Sequence, residues 1–538
     1  MHQSIISITL YLFFLISKLI KSKEIEGRIR LDNQNNWIIE TENFSSDNLY
    51  IATAFYDPSL NEKGWDTLHL KTNKIFSDEI QAEGAGRLEA SLTKERIFNH
   101  YTNAKSSNGI ITDKVKDFFE KQEKYIIKMK NENPDNIYFY NAYLIYLQFK
   151  GMREQYNKEI EKEKKLEGME LYLINSFGDL FEINQTFYPP NLNNMTLEEI
   201  QNYLLITNHC TSLYKVKSDL SDIFLGHNSW YYYTMMTRIF KEYNLNFNHP
   251  SIKCKTVYFT SYPGSIVSND DFYVTSNDLS IIETTNSNMN VSIYKEISYN
   301  SLLNWQRVQI ANRLSTNAKE WTEHFAYNQS GTYNNMYMVL DMKKVDLEKK
   351  IIENDAMKII ETLPKYYVIN DITDYLKRGY WPSYNVPFSD EIYKKSLIDE
   401  SIKKNPKLKQ GIDYNMCSRA QILRKYQSDV IDLDSFKKLM RYNNYKDEPM
   451  AYKSPVNTIS ARGDLNEKSS CFGAFDCKVT SVKNLKGKDK IFYLYGGPTN
   501  IDTPQFRWNE TKSCENFTHI GLDNEPNYGW IEIKNKFE

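Results

Sequence analysis

Cys210 lies in the polar run Thr207-Asn208-His209-Cys210-Thr211-Ser212, and His227 follows 17 residues later. Between them the chain alternates apolar and polar through Leu213 and Val216, and a second apolar run, Ile223-Phe224-Leu225, leads to the imidazole. That pattern predicts two neighbouring strands, with a thiol at the start of the first and an imidazole at the end of the second. A thiol is a nucleophile only as thiolate, so a nearby proton acceptor or cation is the partner such chemistry needs. An Asn-Asn pair, Asn334-Asn335, sits in a polar turn before an apolar strand and offers amide donors of the kind that stabilise an oxyanion.

The elements that position these residues mix helices and strands without a strict βαβ rhythm, which predicts an α+β fold. Strands are expected within Glu24 to Asp57, and helices over Asp113 to Lys130 and Asp135 to Leu166, separated by Asn133-Pro134. Glu83-Gly-Ala-Gly-Arg87 reads as a glycine-rich turn, not a phosphate loop, because no Gly-Lys-Ser/Thr follows. Thr196-Leu-Glu-Glu199 has the capping-box pattern, so a helix should begin there and stop just before Cys210. The Pro189-Pro190 stretch to Asn194 reads as an exposed linker ahead of it. Tyr233 to Tyr243 reads as helical, and Ser301 to Phe325 as one long amphipathic helix.

Lys+Arg of 67 against Asp+Glu of 69 gives a formal charge of −2, with none of the basic excess that binds phosphate backbones, so nucleic acid is excluded as a partner. The apolar run from Ile5 to Ile20, followed by Lys21 and Lys23, reads as a secretory signal over residues 1–22. The alternative, a membrane anchor, falls short of the ~20 apolar residues a span needs. Acceptor sequons at Asn43, Asn184, Asn194, Asn290, Asn328, Asn509 and Asn516 suit a secreted glycoprotein. Of the six cysteines, Cys471, Cys477 and Cys514 lie close enough in sequence for two to pair in an oxidising compartment. Cys471 with Cys477 is the first expectation, and a bridge from one of them to Cys514 is the alternative. No Cys-x-x-Cys exists and no His lies near Cys471 and Cys477, so no metal site and no cofactor are expected. A Gly-x-Ser-x-Gly elbow and a His-Glu-x-x-His are also absent. Arg462-Gly463-Asp464 reads as a structural turn rather than an adhesion tripeptide.

His227-Asn-Ser-Trp230, Ser261-Tyr-Pro-Gly264, Asp270-Asp-Phe-Tyr273, Ala311-Asn-Arg-Leu314, Ser330-Gly-Thr-Tyr-Asn-Asn335, Ser418-Arg-Ala420 and Ile459-Ser-Ala-Arg-Gly-Asp-Leu465 together resemble the phospholipase B-like, or lamina ancestor, family. The resemblance covers nearly everything after about Tyr203 and, more diffusely, the N-terminal part. It implies the N-terminal nucleophile hydrolase fold, an αββα sandwich of two antiparallel sheets between helical layers. It further implies a precursor cut between His209 and Cys210, giving a fragment 23–209 and a catalytic chain 210–538 that stay associated in one body. A free α-amine on Cys210 titrates near ~7.7–8.0, so it could take the thiol proton where an amide could not. His227 is the expected second group, Asn334 or Asn335 the oxyanion donor, and Arg419 resembles the arginine such cysteine enzymes hold beside the nucleophile.

The activity the resemblance implies is removal of fatty acyl chains from phospholipids, or from lipid amides, in a lysosomal or secreted protein that meets membranes or micelles at their surface. A homodimer is left open. The alternative is a catalytically weak lysosomal lipid-binding protein that keeps the fold.

Overall fold

Successive side chains of a strand point to opposite faces, so a strand covered on both sides carries two sets of apolar residues in alternation. Thr211–Val216 and Ile223–Asn228 obey this. Tyr214, Val216, Ile223 and Leu225 face one core, while Leu213 and Phe224 face another. In the computed structural model, which describes residues 23–46, 48–108, 111–207 and 210–537, the two strands pair antiparallel with Ser212 opposite His227. The expected signal segment, residues 1–22, and His209 lie outside the described residues.

These strands belong to a six-stranded sheet in the order Tyr380–Ser383, Thr211–Val216, Ile223–Asn228, Asp476–Ser481, Ile491–Gly496, Trp530–Lys534. The larger sheet has eleven strands, and Leu279–Thr285 and Asn335–Asp341 are neighbours inside it. Tyr214, Leu225 and Phe492 of the smaller sheet pack against Phe240, Ile282 and Met338 of the larger one. The outer face of the larger sheet is covered by the helices Asp78–Asn108, Ile137–Glu159 and Asn304–Leu314, and that of the smaller sheet by Ser418–Tyr426 and Leu433–Met440. The result is four layers, helix, sheet, sheet and helix, which is the expected αββα sandwich. One neighbouring pair is parallel: Asp66–Thr72 lies alongside Ile239–Asn244. Through it the four strands between Ile25 and Thr72 join the larger sheet, so the part before Cys210 shares one folded body with the part after it.

Several elements differ from the sequence reading. Glu83 to Arg87 is no turn but part of the 31-residue helix Asp78–Asn108. Its glycines serve close helix packing, since a Cβ on Gly86 would lie 1.8 Å from the Gln148 carbonyl oxygen, and one on Gly151 2.3 Å from that of Glu83. Tyr233 to Tyr243 holds a short 3-10 turn and then the strand Ile239–Asn244, buried on both faces, where periodicity cannot separate strand from helix. Ser301 to Phe325 divides into Asn304–Leu314 and Ala318–Ala326, because Asn317 starts a second helix by accepting the Glu320 N–H at 2.9 Å. Thr196 does cap Leu197–Thr207, with reciprocal bonds between its main chain and hydroxyl and Glu199. No helix among the described residues is long and apolar enough to cross a membrane.

The bridge expected first, Cys471 to Cys477, is not the one formed. Cys471 pairs with Cys514, with Cα atoms 5.0 Å apart. Cys477 sits on Asp476–Ser481 with its side chain toward the helices over the smaller sheet, in the core of Leu213 and Phe436, whereas Cys471 and Cys514 share the core on the far side of the molecule's other sheet. Strand alternation keeps them apart. Of the sequons, Asn43, Asn194, Asn509 and Asn516 are exposed, while the amides of Asn290 and Asn328 already donate to the Lys395 carbonyl and the Tyr125 hydroxyl at 2.9 Å each. Arg462 is buried and ion-paired to Asp464 at 2.6 Å, as a structural turn requires.

The Cys471–Cys514 bridge closes a sequence separation of 43 residues. Replacing Cys514 by serine should lower unfolding stability by about 2–4 kcal/mol in a denaturant titration. Cys477→Ser should leave the non-reducing peptide map of that bridge unchanged.

Candidate active site

The parity that packs Tyr214 and Leu225 inward also turns Cys210, His227 and Lys478 toward the space between the sheets, Lys478 standing opposite His227 on the adjacent strand. Cys210 is 2% exposed and immediately precedes Thr211–Val216. Its φ is +80°, a left-handed conformation that costs a non-glycine residue on the order of 1–3 kcal/mol and persists only where the surroundings enforce it.

Arg419, from the first turn of Ser418–Tyr426, is the group that enforces it. Its guanidinium donates to the Cys210 carbonyl oxygen at 2.7 Å, to Thr211 Oγ1 at 2.9 Å, to the Tyr384 carbonyl at 2.9 Å and to Asn385 Oδ1 at 2.6 Å. It also lies 4.3 Å from the ring centroid of Trp230. Burial lowers its pKa to about 10, which leaves it a cation near neutrality.

Cys210, His227 and Glu283 form one buried cluster, with a sulfur, a ring nitrogen and a carboxylate oxygen all within 4.8 Å of one another. His227 Nε2 is 3.0 Å from the Glu283 carbonyl oxygen. A carbonyl only accepts, so Nε2 carries the hydrogen and Nδ1 keeps a lone pair with no hydrogen-bond partner among the described residues. Burial, then the Lys478 charge, pushes the imidazole pKa well below its usual value, so His227 is neutral. Burial, then the Glu283 carboxylate, pushes the Cys210 thiol well above its usual value, so the resting sulfur keeps its proton. Burial also raises Glu283 well above the carboxylate range, with the charge of Asp271 next. Glu283 Oε1 accepts from the Tyr333 hydroxyl at 3.0 Å.

Beneath the cluster lies a quartet of buried charges. Asp270 accepts from Arg238 and Lys478 at 2.7 Å each, and Asp476 pairs with Arg238 at 2.9 Å and Lys478 at 3.0 Å. Ser229 joins it, its hydroxyl donating to Asp270 at 2.6 Å and its N–H to Asp476 at 3.0 Å. A cavity of about 40 Å³ lined by Gly178, Cys210, Ser229, Trp230, Tyr262 and Asp270 opens at the thiol. A larger hollow of about 370 Å³ lies against Leu204, Trp230, Cys417 and Arg419.

Cys210, His227 and Arg419 therefore converge as their spacing and motifs suggest. Among the described residues, Asn334 and Asn335 make no hydrogen bond to that group. Asn334 Nδ2 donates to the Gly331 carbonyl at 2.8 Å and Asn335 Nδ2 to Tyr337 Oη at 3.4 Å, so the loop brings Tyr333 to the cluster instead. Glu283, Tyr333, Arg238, Asp476 and Lys478 escaped the sequence reading. Their signal is there in Glu283, a lone acid directly after Leu279-Ser-Ile-Ile282, and in Asp476 and Lys478, two charges inside Phe472 to Val482. A charge in a strand buried on both faces must find a partner.

Against known families, a model described as Phospholipase B matches residues 52–533. The relatives include Phospholipase-B 81 of Drysdalia coronoides, 35% identical over 500 residues that cover 90% of this chain and 88% of that one. Phospholipase B-like 1 of Homo sapiens is 35% identical over 496 residues, 90% of this chain and 87% of its own. Phospholipase B-like protein B of Dictyostelium discoideum is 32% identical over 520 residues, 94% and 89%. Among solved structures, a mutant of the conjugated bile acid hydrolase from Clostridium perfringens aligns with 61% of this chain and 97% of its own, at a TM-score of 0.30 and 11% identity.

Other buried acids surround the site. Burial raises Asp179 to about 6 and Glu182, Asp271 and Glu361 to about 7. With Glu283, the folded chain thus holds protons that the unfolded chain gives up near pH 4, and stability falls as pH rises from about 4 to about 7. His100, lowered to about 3, and His227 act oppositely, losing stability as pH falls below ~6.5. The five acids outweigh the two imidazoles. The denaturant midpoint should be higher at pH 5 than at pH 8, and the reverse order would contradict these protonation states.

Proposed function

Because the chain belongs to the phospholipase B family, we propose that it is a hydrolase that removes fatty acyl chains from phospholipids, or cleaves the corresponding lipid amides, through an acyl-enzyme on Cys210. The observation that carries the mechanism is the backbone of Cys210, which is held left-handed at the head of an inner strand by the grip of Arg419 on its carbonyl. In the uncut chain Cys210 Sγ attacks the carbonyl carbon of His209. The C–N bond to Cys210 breaks, the acyl group passes to sulfur, and the nitrogen takes up the proton that the thiol gives up and becomes an amine. Water then hydrolyses the thioester, leaving a carboxylate on His209 and a free thiol and amine on Cys210. Loss of the peptide bond removes the constraint on φ, so relief of that strain favours the cut.

The new α-amine titrates near ~7.7–8.0 and can accept the thiol proton, which makes one residue both nucleophile and base. His227, neutral with an open Nδ1, supports this as a second proton acceptor at the sulfur. Arg419 fixes the Cys210 main chain so that amine, sulfur and imidazole keep their mutual positions. The fragment before Cys210 stays in place because its strands are part of the larger sheet. On this reading the protein enters the secretory pathway and acts in lysosomes or outside the cell, on lipid presented by a membrane or micelle.

A second reading has one observation in its favour. The cavity at the thiol is only about 40 Å³, well short of the few hundred Å³ that ligand pockets usually offer, which suits a lipid-binding protein with weak turnover. Purified protein assayed at acidic pH with phospholipid and N-acyl amide side by side separates the two. The hydrolase reading expects fatty acid release that falls by at least about 10³-fold in Cys210→Ala. Unchanged release from that variant would remove Cys210 from the mechanism, and absence of release from the unsubstituted protein would favour the binding reading.

A further inference from the structure

Cys210, His227 and Glu283 present three donor atoms of three chemical types, all buried and all within 4.8 Å of one another. Two of them have open valences. His227 Nδ1 and Glu283 Oε2 have no hydrogen-bond partner among the described residues, although buried polar atoms are usually satisfied. The other His227 nitrogen is committed to the Glu283 carbonyl at 3.0 Å. A ring N–H donated to a carbonyl, with the opposite nitrogen left bare, is the arrangement that orients a metal-ligating histidine.

We propose that this cluster is a binding site for a borderline-soft divalent cation of the zinc type, and that the cation inhibits rather than assists the thiol. Thiolate, imidazole and carboxylate together suit zinc, whereas magnesium and calcium take oxygen donors. Bonds of about 2.0–2.3 Å require tetrahedral donors roughly 3.3–3.8 Å apart, so the three atoms need only a small side-chain adjustment from their present spacing. The adjoining cavity of about 40 Å³ exceeds the ~10–15 Å³ that one water needs, which leaves space for the ion and a solvent ligand. On binding, the thiol proton and any carboxyl proton pass to solvent while the sulfur and carboxylate oxygen bond the metal, with no change of oxidation state. The sulfur lone pair is then occupied, and neither the His209 carbonyl nor an acyl substrate can be attacked.

The inference goes beyond the lipid reading and does not need the chain to be cut. Its test is cobalt(II) titration of the purified full chain, monitored by the thiolate-to-cobalt charge-transfer band in the near ultraviolet and by displacement with zinc. One equivalent should give the band. Cys210→Ala should abolish it, and His227→Ala or Glu283→Gln should weaken binding at least about 10-fold. A band that survives Cys210→Ala, or that disappears only when Cys254, Cys417 or Cys477 is replaced, would overturn the assignment, as would no band at all. Zinc-edge absorption spectra of the unsubstituted chain avoid any folding defect in the variants. One sulfur among nitrogen and oxygen neighbours supports the site, and no sulfur, or two or more, refutes it. Cobalt binding of this kind in a chain that releases no fatty acid even when freed of metal would defeat the lipid reading and leave the metal site standing.

Discussion

Four charges buried between two sheets govern this structure: Arg238 and Lys478 against Asp270 and Asp476, at 2.7 to 3.0 Å. Taking such groups out of water is expensive, and their mutual attraction offsets the cost only if each ion meets its partners. The quartet joins Asp476–Ser481 of the smaller sheet to the neighbourhood of Ile239–Asn244 and Phe272–Thr275 in the larger one, so it fixes how the sheets face each other at the site. Removing one partner would strand a buried charge, which links the register of both sheets to the geometry around Ser229 and Cys210.

The same enclosure explains why the resting thiol keeps its proton. Low polarity and the Glu283 carboxylate push Cys210 toward its protonated form, and burial with the Lys478 charge keeps His227 neutral. Ion-pair formation between thiol and imidazole is therefore disfavoured in the resting site. Arg419 contributes position: a cation that spends its hydrogen bonds on the Cys210 carbonyl, Thr211, Tyr384 and Asn385 shapes the chain around the sulfur.

Much of this was legible in the sequence where local rules decide the outcome. Leu213 to Val216 alternates and Ile223 to Leu225 is an apolar run, so the strand pair follows from the local pattern. Thr196 and Glu199 satisfy each other locally, so the helix start was plain. What stayed hidden depends on distant partners. Gly86 resembles a turn residue until the Ile137–Glu159 helix packs against it, and Ile239–Asn244 resembles a helix until the smaller sheet covers one of its faces and helices the other. Cys477 was the nearer partner for Cys471 in sequence, but the alternation of its strand points it into another core. Asn334 and Asn335 carry the right chemistry, yet their amides are engaged by Gly331 and Tyr337, and the neighbouring Tyr333 reaches Glu283 instead.

The central claim is that Cys210 gains its reactivity toward an external acyl substrate by losing its peptide bond to His209. Sequencing the N-termini of the mature protein by mass spectrometry tests this most directly. The account predicts two associated chains, the second beginning at Cys210 and absent from a Cys210→Ala variant. A mature active chain that remains uncut, or whose new N-terminus lies elsewhere and persists in that variant, would contradict it.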